Sequence, residues 1–460
     1  MSALWTAAEA QSATLGQVTD AFCVGGLSID TRTLQPGDLF VALQGDSRDG
    51  HDFVGSAFAA KAGAALVARR PDGVDGPLLL VANTLRGLED LARAARARTD
   101  ARIVAVTGSA GKTTTKEILR LALGALGTTH VSAASYNNHW GVPLSLAALP
   151  REARYAVFEI GMSHFGEIRS LAGFVRPHVA LITTIAAAHL EFFGNCEAIA
   201  DAKSEIFESI VPGGTALIPS DSPHAGRLAA RAKQSHVARV LTFGENKVGE
   251  KKGSDATLIA YAETAEGALI KADVQGRPVE FQIAAPGRHV ALNAVGALLA
   301  VGALEGDVLN AAAALRSFAA LKGRGARFRV GGIEVIDESY NANPASMAAA
   351  LALLGTARGR RVAVLGDMLE MGADAAAHHA GLFQPIEDAR ADLVFLCGAQ
   401  MKALWDALPA SRRGAYAPDC AQLAGPLLSA LRDGDVVLVK GSHGSRMAAI
   451  VDALKAREAA

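Results

Sequence analysis

RIVAVTGSAGKTTTKEILRLALGAL, residues 102–126, decides how the chain is read. The apolar run RIVAV has the β-branched residues of a buried strand. It enters the turn Gly108-Ser109-Ala110-Gly111, and Lys112-Thr113-Thr114 then opens a run with helical spacing. In a strand–glycine turn–helix unit, backbone N–H groups can approach a phosphate, and the helix N-terminus adds partial positive charge. Lys112 is placed to reach the β- and γ-phosphates of a nucleotide, and Thr113 to help hold magnesium. The loop is compact: only Ser109 and Ala110 separate its glycines, where the usual phosphate loop has four residues.

Downstream, YAVFEI (155–160), VALITT (179–184) and TALIPS (215–220) are continuous apolar runs separated by helical stretches. Such runs predict a parallel sheet covered on both faces. Residues 247–253 are polar and predict a loop. The apolar stretch 290–304 contains Asn293, is short for a bilayer, and reads as a buried helix. Upstream, DLFVAL (38–43), AALVA (64–68) and LLLV (78–81) predict a small mixed α/β domain. It ends in LEDLARAARARTDAR (88–102), whose arginines read as a solvated helix face before a linker. After LKGRGARFRV (321–330), the runs IEVID (333–337), RVAVLG (361–366), DLVFLC (392–397) and DVVLVK (435–440) predict a second doubly wound sheet. The expected fold is therefore α/β with three domains. Residues 1–98 form the small mixed domain, 99–318 a central parallel-sheet phosphate-loop domain, and 319–460 a C-terminal Rossmann-like domain.

Composition restricts the function classes. The 460 residues carry 45 basic and 46 acidic side chains, a net charge of −1. Nothing in that balance draws the chain to nucleic acid or an acidic membrane. The cysteines, Cys23, Cys196, Cys397 and Cys420, are far apart in sequence and form no CxxC pair, which argues against a disulfide scaffold or a zinc site. The first residues lack the basic and apolar segments of a signal peptide. A soluble, cytoplasmic protein with no stable membrane insertion is expected, acting as a monomer.

Other candidate residues are weaker when taken singly. Glu159 ends a strand in the same sheet as the phosphate loop, where a carboxylate can bind magnesium directly or through water. His189 follows the strand at 179–184, and a lone histidine is more often structural. Lys203, in a helical stretch, reads by composition as a solvated lysine. Asp337-Glu338-Ser339-Tyr340-Asn341-Ala342-Asn343-Pro344 follows a strand and either meets a ligand or starts a helix. Lys440-Gly441-Ser442-His443-Gly444-Ser445 is either a second anion-binding turn or a turn into the last helix.

Together these strings resemble the Mur ligase family over nearly the whole chain. TGSAGKTTTKE (107–117) resembles its compact phosphate loop, and SYNNHWGVPLSL (135–146), FEIGMS (158–163), AAAHLEFFG (186–194) and AKSEIF (202–207) resemble further family blocks. The resemblance implies ATP and Mg2+ as cofactors and a carbamylated lysine at Lys203. It implies Thr113, Glu159, His189 and Lys203 as magnesium ligands, with Lys112, Lys203, His189 and Glu159 catalytic. Gly108, Ser109, Ala110, Gly111, Lys112, Thr113, Thr114, His289, Asn293, Arg324 and Asp337 would hold the nucleotide. IDTRTLQPGDLFVALQGDSRDGHDF (29–53) resembles the family's uridine-nucleotide domain. DESYNANPASM (337–347) and LGDMLEMG (365–372) resemble the branch that joins D-alanyl-D-alanine to a UDP-N-acetylmuramoyl-tripeptide. Asp30, Arg32, Asn137, Asn138, Tyr340, Asn341 and Asn343 are the implied substrate contacts.

The Asp-Tyr-Ala-His and Asp-Asn-Pro-Arg motifs of the diaminopimelate-adding branch are absent from the sequence. Departures from the pattern are Val290 within GRHVALNAV (287–295), where the family often has Asn, and His443-Gly444 within KGSHGSRM (440–447). Arg324, Arg327 and Arg329 compete for the phosphate-binding arginine. Rival readings are a neighbouring ligase of the superfamily, such as a folylpolyglutamate synthase, and a GTP-binding switch. The only string near a guanine-recognition motif, Asn246-Lys247-Val248-Gly249, lacks the acid. Whether the tripeptide ends in diaminopimelate or lysine stays open.

Overall fold

The computed structural model describes residues 3–133, 135–245, 253–264 and 266–457. The expected loop at 247–253 lies outside the described residues except Gly253. Three main sheets follow one another along the chain. The first has five strands in the order Gln17–Val18, Leu78–Leu80, Ala64–Val67, Asp38–Val41 and Gly26–Ser28, parallel except for its Gln17–Val18 edge.

The central sheet has nine strands, and Arg102–Thr107 lies inside it between Tyr155–Glu159 and Val179–Ile182. All three run parallel, with Glu159 opposite Val106 and Ile182 opposite Thr107. That register places the phosphate loop, Glu159 and residues 183–186 at one carboxyl edge. Apolar side chains alternate onto two faces. Ile103 and Ala105 join one buried cluster, while Val104 and Val106 join another beneath the helices Lys112–Gly124 and Arg288–Ala303. The latter helix is buried along most of its length, as expected of 290–304.

The parallel core is extended by strands that the sequence reading did not include. Arg239–Glu245 and Ala256–Thr264 continue it in parallel, and Gly267–Val274 and Arg277–Ile283 add antiparallel strands, so the whole sheet is mixed.

The third sheet runs in the order Ala326–Val330, Ile333–Glu338, Asp435–Lys440, Arg360–Gly366, Leu393–Cys397 and Arg413–Ala417. Only the Ala326–Val330 edge is antiparallel, and buried clusters cover both faces.

One local expectation is corrected. The arginines of 88–102 do not form a solvated face. Arg96 donates to the carbonyls of Val175 and Arg176 (2.8 Å each), at the end of the helix Glu167–Val175. Arg98 stacks over Trp5 at 3.6 Å and donates to the Leu4 carbonyl. Arg93 pairs with Glu89 and Asp90 along its own helix and also stacks over Phe174 at 4.7 Å. Cysteines distant in sequence also meet: Cys397 and Cys420 are free thiols whose Sγ atoms stand 3.0 Å apart in the core of the third sheet. Among the described residues, no helix is long and apolar enough to cross a membrane.

Candidate active site

The phosphate loop turns on two glycines that no other residue could replace without a collision. Gly108 lies at φ 153°, and a Cβ there would fall 1.8 Å from Thr183 Oγ1. Gly111 lies at φ 79° and caps the helix Lys112–Gly124, and a Cβ there would meet Asn293 Nδ2 at 2.7 Å. Ser109 pins the loop to the next strand's exit: its N–H donates to Thr184 O, and its hydroxyl donates to Ala186 O and accepts the Ala186 N–H. The first-turn N–H groups of the helix therefore point into the cleft.

Lys112 folds back to donate from Nζ to Gly108 O at 2.8 Å. Its pKa is held below the usual lysine value, chiefly by removal from water, with Glu159 opposing the shift and Arg324 adding to it. Glu159 is 1% exposed. Its two oxygens accept from Thr113 Oγ1 (2.8 Å) and Asn137 Nδ2 (2.7 Å). Arg324 completes this corner, donating to Ser135 Oγ at 3.3 Å with its guanidinium 3.8 Å above the Tyr340 ring.

Lys203, on the helix Cys196–Ser204, is 1% exposed and not solvated as its composition suggested. Burial, then the charge of Lys112, pull its pKa well below the usual lysine range. Glu205, two residues on, turns away to accept the N–H groups of Gly166 and Arg169.

A cleft of about 1080 Å³ joins these groups to the third sheet's edge. Ser109, Ala110, Gly111, Lys112, Thr114, Asn137, Asn138, Glu159, His189, His289, Asn293, Arg324, Tyr340, Asn341 and Asn343 all line it. Gly108, Thr113 and Lys203 lie behind that lining, although Thr113 reaches it through Glu159. Asn343 Nδ2 donates to Ser109 O at 3.2 Å, tying the third sheet's loop to the phosphate loop. The same asparagine caps the helix Pro344–Gly355, so the helix-start and ligand-facing readings of this string hold together.

Asp337 is not in the lining. Its oxygens accept Gly323 N–H, Ser339 N–H and Ser339 Oγ–H, bracing the chain's entry into the sheet. Lys440 donates to Glu338 Oε2 (3.2 Å) and Asn341 O (2.9 Å), which engages two of its three N–H groups, and it lines the cleft with His443 of the following turn. Of the three competing arginines, only Arg324 lines the cleft. Arg327 pairs with Glu334, and Arg329 is exposed on an edge strand. Asp30 and Arg32 lie outside it and form a bidentate pair that lowers the Asp30 pKa to about 2.

The sequence matches three family models: Mur ligase family, catalytic domain over residues 24–98, Mur ligase middle domain over 106–301, and Mur ligase, glutamate ligase domain over 323–443. It is 36% identical to the UDP-N-acetylmuramoyl-tripeptide--D-alanyl-D-alanine ligase of Escherichia coli, across 96% of this chain and 98% of that one. It is 32% identical to the ligase of the same name from Rickettsia prowazekii, across 95% and 96%. The chain belongs to the Mur ligase family. The crystal structure of MurF from Acinetobacter baumannii superposes on this Mur ligase with a TM-score of 0.85 at 30% identity, covering 98% of this chain and 99% of that one.

Within this Mur ligase, two residues beside the cleft lie in strings quoted from the sequence, but their contacts were not legible there. One is Ser135, which links Arg324 to Thr113. The other is Glu370, which pairs with Nδ1 of His189 from the third sheet's side. The contacts with Arg324 and with His189 join chain segments 189 and 181 residues apart, beyond the reach of local pattern. Glu370 lies in LGDMLEMG, a string notable in the sequence that nothing there connects with His189.

Proposed function

We propose that this Mur ligase joins D-alanyl-D-alanine to a UDP-N-acetylmuramoyl-tripeptide, converting ATP to ADP and phosphate through an acyl phosphate. The single observation that carries the reading is one cleft lined by a phosphate loop on one wall and by Arg324, Tyr340 and Asn343 on the other. The names borne by relatives that match over almost their whole length supply the substrates. Residues 1–98 hold the uridine nucleotide, 99–318 the phosphates, and 319–460 the dipeptide and part of ATP.

In the first step, an oxygen of the tripeptide's terminal carboxylate bonds to the γ-phosphorus and the bond to ADP breaks. The chain contributes positioning and charge neutralisation. Backbone N–H groups of the loop, the Lys112 ammonium and the Arg324 guanidinium meet the charge that develops on the transferred phosphoryl group. In the second step, the free amine of D-alanyl-D-alanine bonds to the acyl carbon. The carbon–oxygen bond to phosphate then breaks, phosphate leaves, and the amine nitrogen loses its proton. Closure of the two walls excludes the water that would hydrolyse the acyl phosphate.

Magnesium, when bound with ATP, would neutralise the β- and γ-phosphate oxygens. The Thr113 hydroxyl and Glu159 carboxylate, 2.8 Å apart beside the loop, are the hard oxygen donors it prefers, and His189 and Lys203 would complete the set. Among the described residues no three His, Cys, Asp or Glu side chains converge, which suits an ion that keeps water and phosphate oxygens in its shell.

The surroundings of Lys203 favour a carbamate. Burial beside Lys112 favours its neutral amine. That amine can bond to the carbon of CO2 and release one proton, leaving an anion beside the Lys112 ammonium. A reaction that draws on ATP and a UDP-linked sugar belongs in the cytoplasm.

The deciding experiment is a phosphate-release assay with UDP-muramoyl-tripeptides ending in diaminopimelate or in lysine. ADP and phosphate should form only when D-alanyl-D-alanine is also present. AMP and pyrophosphate as products would exclude the acyl-phosphate route. Addition of a free diamino acid to the UDP-muramoyl-dipeptide would assign the chain to a different branch of the family.

A further inference from the structure

LGDMLEMG, residues 365–372, leaves the strand Arg360–Gly366 as a loop fixed at almost every position. The Asp367 carboxylate accepts the N–H groups of Gln400 (3.3 Å) and Met401 (2.9 Å). Met368 N–H donates to His379 Nε2, and Leu369 N–H to Ser442 Oγ, both at 2.9 Å. The next residue, Glu370, is thereby thrust toward the central sheet with φ at 62°. Its carboxylate meets Nδ1 of His189, and its carbonyl accepts the Glu191 N–H at 3.1 Å. His189 is itself at φ 58°. Two non-glycine residues thus face each other in the left-handed region across the boundary between the sheets, a conformation retained only where its surroundings impose it.

The His189 ring lines the large cleft, whereas Glu370 lines a smaller cavity behind it with Leu190 and Met371. Glu370 takes up Nδ1, so Nε2 is the ring nitrogen left for the cleft that His189 lines. A neutral imidazole has one N–H and one lone pair. A carboxylate that accepts from Nδ1 keeps the proton there and leaves the Nε2 lone pair for a metal on the other side.

We propose that Glu370 is a positioning residue that sets the tautomer and ring orientation of His189 for magnesium. The metal site is then completed only when the third sheet's domain is docked on the second. This rests on the reading of His189 as a metal ligand. Through this contact LGDMLEMG carries the state of the domain interface to the phosphates.

The test is a titration of the full chain with Mn2+, followed by electron paramagnetic resonance, in the presence of adenylyl imidodiphosphate. E370A should weaken Mn2+ binding about 10-fold or more, the usual range for losing such an outer partner. E370Q should recover most of the loss, because its amide oxygen still accepts from Nδ1. H189A should weaken binding at least as much, and the H189A/E370A double variant should be no weaker than H189A alone. Wild-type Mn2+ affinity in E370A, no recovery in E370Q, or losses that add in the double variant would each overturn the proposal. The two readings separate cleanly. Loss in H189A without loss in E370A overturns only the role of Glu370, whereas unchanged binding in H189A overturns the metal reading of His189 and this proposal with it.

Discussion

Lys112 and Lys203 place two amino groups in one poorly solvated region, and each is held below the usual lysine pKa chiefly by burial. Their roles differ, and so do the expected consequences of removing them. Lys112→Ala removes a charge that matters most as the phosphoryl group moves, so kcat should fall on the order of 100-fold or more while the variant stays folded. Steady-state kinetics with circular dichroism as a fold control will check this, and near-normal turnover would reject the phosphate-loop assignment. Lys203→Ala should also fold, because it shortens a buried side chain that holds no hydrogen bond among the described residues and leaves no buried polar group unpaired. It should lose most activity and regain part of it in acetate or formate, whose carboxylate can enter the vacated space. Full activity without added acid would return Lys203 to a structural role, and rescue of Lys112→Ala by the same acids would mean the effect is not specific. At this scale the loop and Glu159 were legible, because strand, glycine turn and helix are contiguous. The burial of Lys203 was not, because a lysine's neighbours are set by tertiary packing.

The helix Cys196–Ser204 delivers Lys203, and its placement depends on polar groups at its surface. Asn195 caps it by accepting the Ala198 N–H at 2.8 Å. Asp201 accepts from Arg227 (2.8 and 2.7 Å) and from Arg231 (3.0 Å) on the helix Ala225–Gln234. Those bonds, Arg227 first, lower the Asp201 pKa to about 2. A carboxylate with a depressed folded-state pKa contributes stability that is complete above its ordinary pKa, and loses it as pH falls through the folded value. Asp201→Asn should therefore lower Tm at neutral pH by about 2–4 °C, the scale of roughly 1 kcal/mol. The difference from wild type should shrink between about pH 4 and pH 2. Melting curves across that range decide the matter, and a constant difference would mean that the carboxylate's charge is irrelevant. The unrecognised hairpin 267–283 was in principle readable at this scale. ALIKADV and PVEFQI alternate apolar and polar residues about Gln275-Gly276, which adopt positive φ at both positions as a tight two-residue turn requires. Alternation marks a sheet with one exposed face, a different pattern from the continuous runs of the buried parallel core.

Across the whole molecule, the buried clusters divide unequally among the three sheets. One cluster runs without a break from Trp5, Leu39 and Leu66 to Phe158, Ile182 and Phe207, so the first two sheets share a core. The third sheet has its own clusters, which among the described residues only Ala187 and Leu190 join from outside. Cooperative units follow shared cores. Calorimetry should therefore resolve two transitions, and trypsin should cut first near the exposed Lys322 to leave a stable C-terminal fragment. Adding Mg2+ with a non-hydrolysable ATP analogue should slow that cut, because the cleft draws on both units. A single transition with no stable fragment would contradict the division. By itself, the sequence determined the three α/β regions, the phosphate loop and the family, because each is written in contiguous residues whose spacing follows a helix or strand period. Only the tertiary structure decided which distant groups meet: Asn343 with Ser109, 234 residues apart, Glu370 with His189, 181 apart, Arg98 with Trp5, and the thiols of Cys397 and Cys420. The physical reason is that hydrophobic periodicity specifies which face of an element is buried, but the partner on that face is chosen by how whole sheets and helices pack.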